Sequence, residues 1–118
     1  MALDDLPKYV YKIIPTAPPE PLPAEYPLSE LDQNDGFVHL STAEQVPSTC
    51  DLFFNHVADL WVLKLEFVKI EAASKWEGGF PHLYGNFGKE EVVSAQKFSR
   101  AGTQKWSEAM KGSSFLEN

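Results

Sequence analysis

The run Leu60-Trp-Val-Leu-Lys-Leu-Glu-Phe-Val68 alternates at its bulky positions. Trp61, Leu63, Leu65 and Phe67 share one face and Lys64 and Glu66 the other, the period of two that marks a β-strand. Upstream, Tyr9-Val-Tyr-Lys-Ile-Ile14 is a second strand, β-branched and aromatic, halted at Pro15, which has no ladder donor. Downstream, Glu91 to Ser99 reads as the last strand. Phe37-Val-His-Leu-Ser41 reads as a buried strand, with Phe37, His39 and Ser41 on one face and Val38 and Leu40 on the other. Trp76-Glu77 is a short strand before the Gly78-Gly79 turn. Phe80 to Phe87 is aromatic without a clean period and reads as an ordered loop.

Helical signals are few. Ser29 is placed to cap one turn over Ser29–Asp32. Thr42-Ala-Glu-Gln45 has the spacing of a capping box, so a helix starts there, with Val46, Thr49, Cys50, Phe53 and Phe54 as its apolar stripe. Pro47 sits too deep for the first position after a Thr42 cap and predicts a kink or a fresh start. Residues 69–74 have room for one further turn. Trp106 and Met110, four apart, suggest a weak helix in a tail packed back on the domain. Strands outnumber helices and do not alternate regularly with them. The expected class is α+β, a single domain with a bent, split, mixed or antiparallel β-structure and few short helices. Residues 1–8 are expected to be frayed, 9–100 to form the globular domain around one core, and 101–118 the tail. The proline-rich arm 15–27 reads as a stiff connection over the surface or as a docking arm for a protein partner of unknown identity.

The chain has 118 residues, 10 basic and 17 acidic side chains and a net charge of −7. Arg100 is the single arginine and the lysines are scattered, so bulk charge argues against nucleic-acid binding. No apolar run is long enough for a transmembrane helix. One cysteine, Cys50, cannot form an internal disulfide, and a reducing, cytoplasmic setting is the expectation. His39, His56, Glu77 and His82 lack the short spacings of zinc ligands, so no metal is expected.

Two segments invite a chemical explanation. Gly36-Phe-Val-His-Leu-Ser-Thr42 sets His39 in an apolar strand, with Ser41 beside it and a helix start at Thr42. A neutral imidazole has one donor and one acceptor for a ribose hydroxyl or an amide, and a helix start offers free N–H groups to an anion. From the residues alone the simpler reading is a core histidine bonded to a backbone carbonyl, with Thr42 as a mere cap. Trp76-Glu-Gly-Gly-Phe-Pro-His-Leu-Tyr-Gly85 gathers Trp76, Glu77, His82 and Tyr84 among glycines that let a ligand approach, or is a loop stapled by its aromatics.

Asp35-Gly-Phe-Val-His-Leu-Ser-Thr-Ala-Glu-Gln45 and Phe80-Pro-His-Leu-Tyr-Gly85, with Trp76-Glu77 and Tyr11-Lys-Ile13, resemble the domain of unknown function 952 family over roughly residues 9–99. The resemblance implies an ADP-ribosyltransferase-like fold with a cleft for NAD. By that analogy His39 would contact a ribose hydroxyl, with Ser41 and Thr42 beside it, Tyr84 would stack on the nicotinamide ring, and Glu77 or Glu91 would stabilise charge on the ribose; Trp76 is a further ligand-binding candidate. His82 would act as general base. No covalent cofactor is implied, and NAD would be a substrate. A binding module for a small nucleotide-like ligand, or an interaction domain using the proline-rich arm, are the alternatives.

Overall fold

The computed structural model describes residues 6–118. It contains six strands: β1 Tyr9–Ile14, β2 Val38–His39, β3 Asp59–Glu66, β4 Ser74–Glu77, β5 Phe80–Leu83 and β6 Val92–Ser99. Three helices accompany them: α1 Glu30–Asp35, α2 Gln45–Phe53 and α3 Trp106–Ala109. The strands form two three-stranded sheets, in the orders β1-β3-β6 and β2-β5-β4. Every pairing is antiparallel. The class is therefore α+β with few helices.

The expected strand 37–41 is divided between the two sheets. Val38 and His39 pair with Leu83 and His82 of β5, whereas Ser41 exchanges both backbone hydrogen bonds with Tyr11 of β1, at 2.8 and 2.9 Å. One short segment thus crosses from one sheet to the other and joins them.

Two apolar layers cover the larger sheet, where the sequence suggests a single core. On one face Val10, Ile14, Leu63 and Leu65 meet Val38, Leu40, Leu83 and Phe87. On the other, Tyr11, Ile13, Leu60 and Val62 meet Val46, Cys50, Trp106 and Met110. Central strand β3 is consequently buried on both sides, and Lys64, assigned by alternation to the polar face, is buried with its ammonium 2.7 Å from Glu117. The strand ends at Glu66, before the expected Val68, because Phe67–Lys69 turns into a short 3-10 segment followed by another at Glu71–Ala73.

Other differences have local causes. Helix α2 starts at Gln45, and its side-chain oxygen accepts from the Thr42 N–H at 2.9 Å, half of the expected box. Pro47 falls in the first turn, where the N–H it lacks would have no helical partner, so it introduces no break. Phe53 of the predicted stripe points outward and is exposed, while Val46 and Cys50 are buried. The segment 80–83, read as loop, is strand β5. Gly78 and Gly79, with φ of 60° and 84°, form the two-residue turn that pairs it with β4.

The proline-rich arm lies on the domain. The Tyr26 N–H donates to the Phe87 carbonyl, the rings of these two residues stack at 5.3 Å, and the Lys89 N–H donates to the Pro23 carbonyl at 3.0 Å. Of the N-terminal stretch, residues 1–5 lie outside the described residues. Leu6 packs on the core, and the Lys8 N–H donates to the Asn118 carbonyl at 3.2 Å.

Candidate functional site

The register of the smaller sheet decides what meets what. His39 stands opposite His82, and His82 opposite Lys75. Residues directly opposite share a face. Val38 and Leu83 point into the core, which leaves Phe37, His39, Lys75, Glu77, His82 and Tyr84 on the outer face. Phe37 is the hub. Its ring lies 4.2 Å from that of His82 (stacked), 4.6 Å from His39 and 5.2 Å from Tyr84. The two imidazoles are 5.6 Å apart, edge to face.

Each imidazole is tied to carboxylates. His82 Nδ1 lies 2.8 Å from Glu77 Oε1, and the Tyr84 hydroxyl donates to the same oxygen at 2.7 Å. These bonds, Tyr84's first and His82's second, hold the Glu77 carboxyl below its ordinary range. The Tyr84 hydroxyl is correspondingly raised by its bond to Glu77. Among the described residues Glu77 Oε2 accepts no hydrogen bond, and the Glu77 side chain is 44% exposed. Lys75 adds a cation 5.0 Å from the Tyr84 ring.

His39 Nδ1 lies 2.6 Å from Asp32 Oδ1, and its Nε2 lies 2.9 Å from Asp35 Oδ2. Both carboxylates come from α1. Ser29 caps that helix, donating no proton but accepting from the Asp32 N–H at 3.1 Å, and Gly36, at φ 81°, ends it so that the chain turns into β2. Asp32 is 1% exposed and binds Lys12 through Oδ2 at 2.6 Å, while Lys12 also donates to the His39 carbonyl at 3.2 Å. Burial alone would raise the Asp32 carboxyl. The Lys12 charge and the donors from Lys12 and His39 outweigh it, and the group sits below its ordinary range. Burial also lowers the Lys12 ammonium, against the pull of Asp32. The two directions express opposite balances of desolvation and attraction. The carboxylate side is the firmer, since three donors lie within 3.2 Å of it.

Of the residues singled out in the sequence, His39, Glu77, His82 and Tyr84 therefore meet on one face. Trp76 alternates to the other side of β4, with its ring 5.6 Å from Phe67 against the core. Ser41 is buried at the sheet crossing. The Thr42 N–H is taken by Gln45, whose amide in turn donates to the Gly79 carbonyl at 2.8 Å. The α2 start is poorly suited to an anion, because Glu44 stands at the cap and Pro47 has no N–H to offer. Glu91 accepts from the Gly88 N–H at 2.7 Å and closes the loop beneath the arm. Sequence reasoning missed Lys12, Asp32 and Asp35. Lys12 was the signal: a charge in the middle of an apolar strand needs a buried partner.

The face is open. A groove of about 380 Å³ runs instead under the proline-rich arm, between Tyr26, Phe87 and Ile14, and reaches Lys12 and Asp32 from behind. No group of three or more metal-ligating side chains is arranged around an ion among the described residues. No helix among them is long and apolar enough to cross a membrane.

Known proteins bear on this arrangement. The profile of a family described as "Protein of unknown function (DUF952)" matches residues 21–95. The chain belongs to the DUF952 family. The matched segment of this DUF952 chain includes α1, β2 and the β4–β5 hairpin, and so every residue of the histidine face, but not Lys12. The crystal structure of protein CC0527 from Caulobacter crescentus is similar at 31% identity, covering 82% of this chain and 91% of that one, with a TM-score of 0.70. The solution NMR structure of CC0527 is similar at 29% identity, covering 80% and 88%, with a TM-score of 0.65. No curated protein matches.

Proposed function

We propose that the face formed by Phe37, His39, Glu77, His82 and Tyr84 binds a ribose-bearing nucleotide of the NAD or ADP-ribose type, with transfer or hydrolysis at the nicotinamide–ribose bond as the candidate reaction. The observation that carries this is the convergence of two carboxylate-bound imidazoles and a phenol around one half-buried aromatic ring, that of Phe37. The expected kinship with the ADP-ribosyltransferase fold adds an analogy of fold only.

The chemistry follows from the groups. The Phe37, His82 and Tyr84 rings offer faces and edges to a planar base. Glu77 Oε2 can accept from a ribose hydroxyl. When the bond from ribose C1′ to the nicotinamide nitrogen breaks, its electron pair leaves with the nitrogen and neutralises the pyridinium. Positive charge then develops on the ribose, as in glycoside cleavage. An ionised Glu77, held by Tyr84 and His82, stabilises that charge. With Nδ1–H donated to Glu77, the His82 Nε2 lone pair can take the proton of water or of an acceptor hydroxyl as the new C1′–O bond forms.

Incubation with NAD, followed by nicotinamide release, tests the reaction. Calorimetric titration with ADP-ribose tests the binding, with His39→Ala expected to abolish the signal. Flat titrations together with no release remove the proposal. Saturable binding without release leaves a non-catalytic binding module, a second role favoured by the exposure of Glu77 and Tyr84.

A further inference from the structure

We propose that Asp32 is the positioning residue of this site: it holds His39 with the hydrogen on Nδ1 and turns Nε2 toward the ligand. The identity of the ligand rests on the proposed function above; the geometry at His39 does not.

Asp32 is locked on every side. Its main chain is fixed by the Ser29 cap and by the Gly36 N–H, which donates to its carbonyl at 3.0 Å. Its side chain is 1% exposed and meets Lys12 Nζ at 2.6 Å, His39 Nδ1 at 2.6 Å and the His39 N–H at 3.2 Å. An ionised carboxylate only accepts, so Nδ1 must be the donor. Lys12 occupies the second oxygen and also holds the His39 carbonyl, which fixes the ring and its own backbone together. The ring thereby acquires the orientation that carboxylates supply to metal-ligating histidines.

The other nitrogen is in a different position. The groups facing the ring are Asp32 and Asp35 from α1, Lys12 from β1, Phe37, and His82 from β5. Of the two carboxylates, Asp35 is the accessible one: its side chain is 41% exposed at the helix end. Its oxygen, 2.9 Å from Nε2, marks the place where a ribose hydroxyl of a ligand would sit, donating its hydrogen to the Nε2 lone pair. Asp32 cannot yield in the same way without stranding the Lys12 charge.

The test uses nitrogen-15 NMR of the histidine rings in the whole chain near neutral pH, where the nitrogen shifts report which atom carries hydrogen. In the native chain His39 Nδ1 is expected to be protonated, with a strongly downfield, slowly exchanging proton. Lys12→Met/Asp32→Leu removes both charges while keeping the branching at Cγ of residue 32 and should lose that signature, whereas Lys12→Met/Asp32→Asn, which keeps an accepting carbonyl, should restore it. The exposed His56 serves as the internal control. ADP-ribose affinity measured by calorimetry should fall about tenfold in the Leu variant and recover in part in the Asn variant. An unprotonated Nδ1 in the native chain, or nitrogen shifts identical in the folded Leu variant, overturns the inference. If the native chain does not bind ADP-ribose, the nucleotide reading fails while the nitrogen shifts still decide the role of Asp32.

Discussion

Replacing Lys12 by Met leaves the Asp32 carboxylate in the interior with the His39 donors alone. The two side chains are 10% and 1% exposed and 2.6 Å apart, so neither solvent nor a second cation can take over. Removing one partner of such a pair costs about 3–5 kcal/mol, mostly through the stranded charge. At about 4 °C per kcal/mol for a chain of this size, the expected fall in Tm is roughly 12–20 °C. Lys12→Met/Asp32→Leu removes both charges and should lie within about 1–2 kcal/mol of the native protein. The effect also has a pH signature. In the native protein the Asp32 carboxyl is below its ordinary range: burial opposes this, and Lys12 and His39 overcome it. Its contribution to stability is therefore complete above the unfolded value of about 3.9 and is lost as pH falls through the lower folded value. Without Lys12 the folded value moves up, so the penalty of the single variant is largest near neutrality and shrinks in acid, where the stranded group is protonated. Urea unfolding of the native chain and both variants at about pH 7 and about pH 3.5 measures this directly. A single-variant loss below about 1 kcal/mol at neutral pH, or one that is the same in acid, would refute the buried-pair account.

Three further outcomes are expected. Gly88→Ala puts a Cβ 1.8 Å from the Ala24 carbonyl oxygen and 2.6 Å from that of Pro23, so the arm must lift. The loss of its two backbone bonds and the Tyr26–Phe87 stack should cost about 2–4 kcal/mol by denaturant unfolding, and a change under about 0.5 kcal/mol would show that the arm is not anchored there. Tyr84→Phe removes the strongest influence on Glu77, whose carboxyl should move up toward its ordinary value in a carbon-13 titration; an unmoved titration would mean that the bond is not kept in solution. The Cys50 thiol, pushed up to about 12 by burial and then by Asp51, should resist iodoacetamide at mildly alkaline pH in the native protein and react on unfolding. Rapid alkylation of the native chain would contradict its place in the core.

Much of the scaffold was legible because local rules govern it. Alternation marks β3 and β6, β-branched and aromatic residues ahead of Pro15 mark β1, Ser29 announces α1, and Gly78-Gly79 announces the hairpin turn. Strand β5 was not, since Pro81 and the mixed aromatics of 80–83 blur the period, and only pairing with both β2 and β4 makes the segment a strand. The double-sided burial of β3 was equally hidden. Lys64 looks like a solvent residue until the tail brings Glu117 across to it.

By itself the sequence determined where titratable and aromatic side chains are dense: the crowding of His39, Glu77, His82 and Tyr84 into two short segments follows from residue type and needs no coordinates. Only the tertiary structure decided which of them meet. Register between strands over forty residues apart in the chain sets His39 opposite His82, and a one-residue slip would have turned one imidazole into the core. The same long-range placement brings Lys12 to Asp32, because a charge on an apolar strand can choose its partner only once the sheet and α1 are packed against each other.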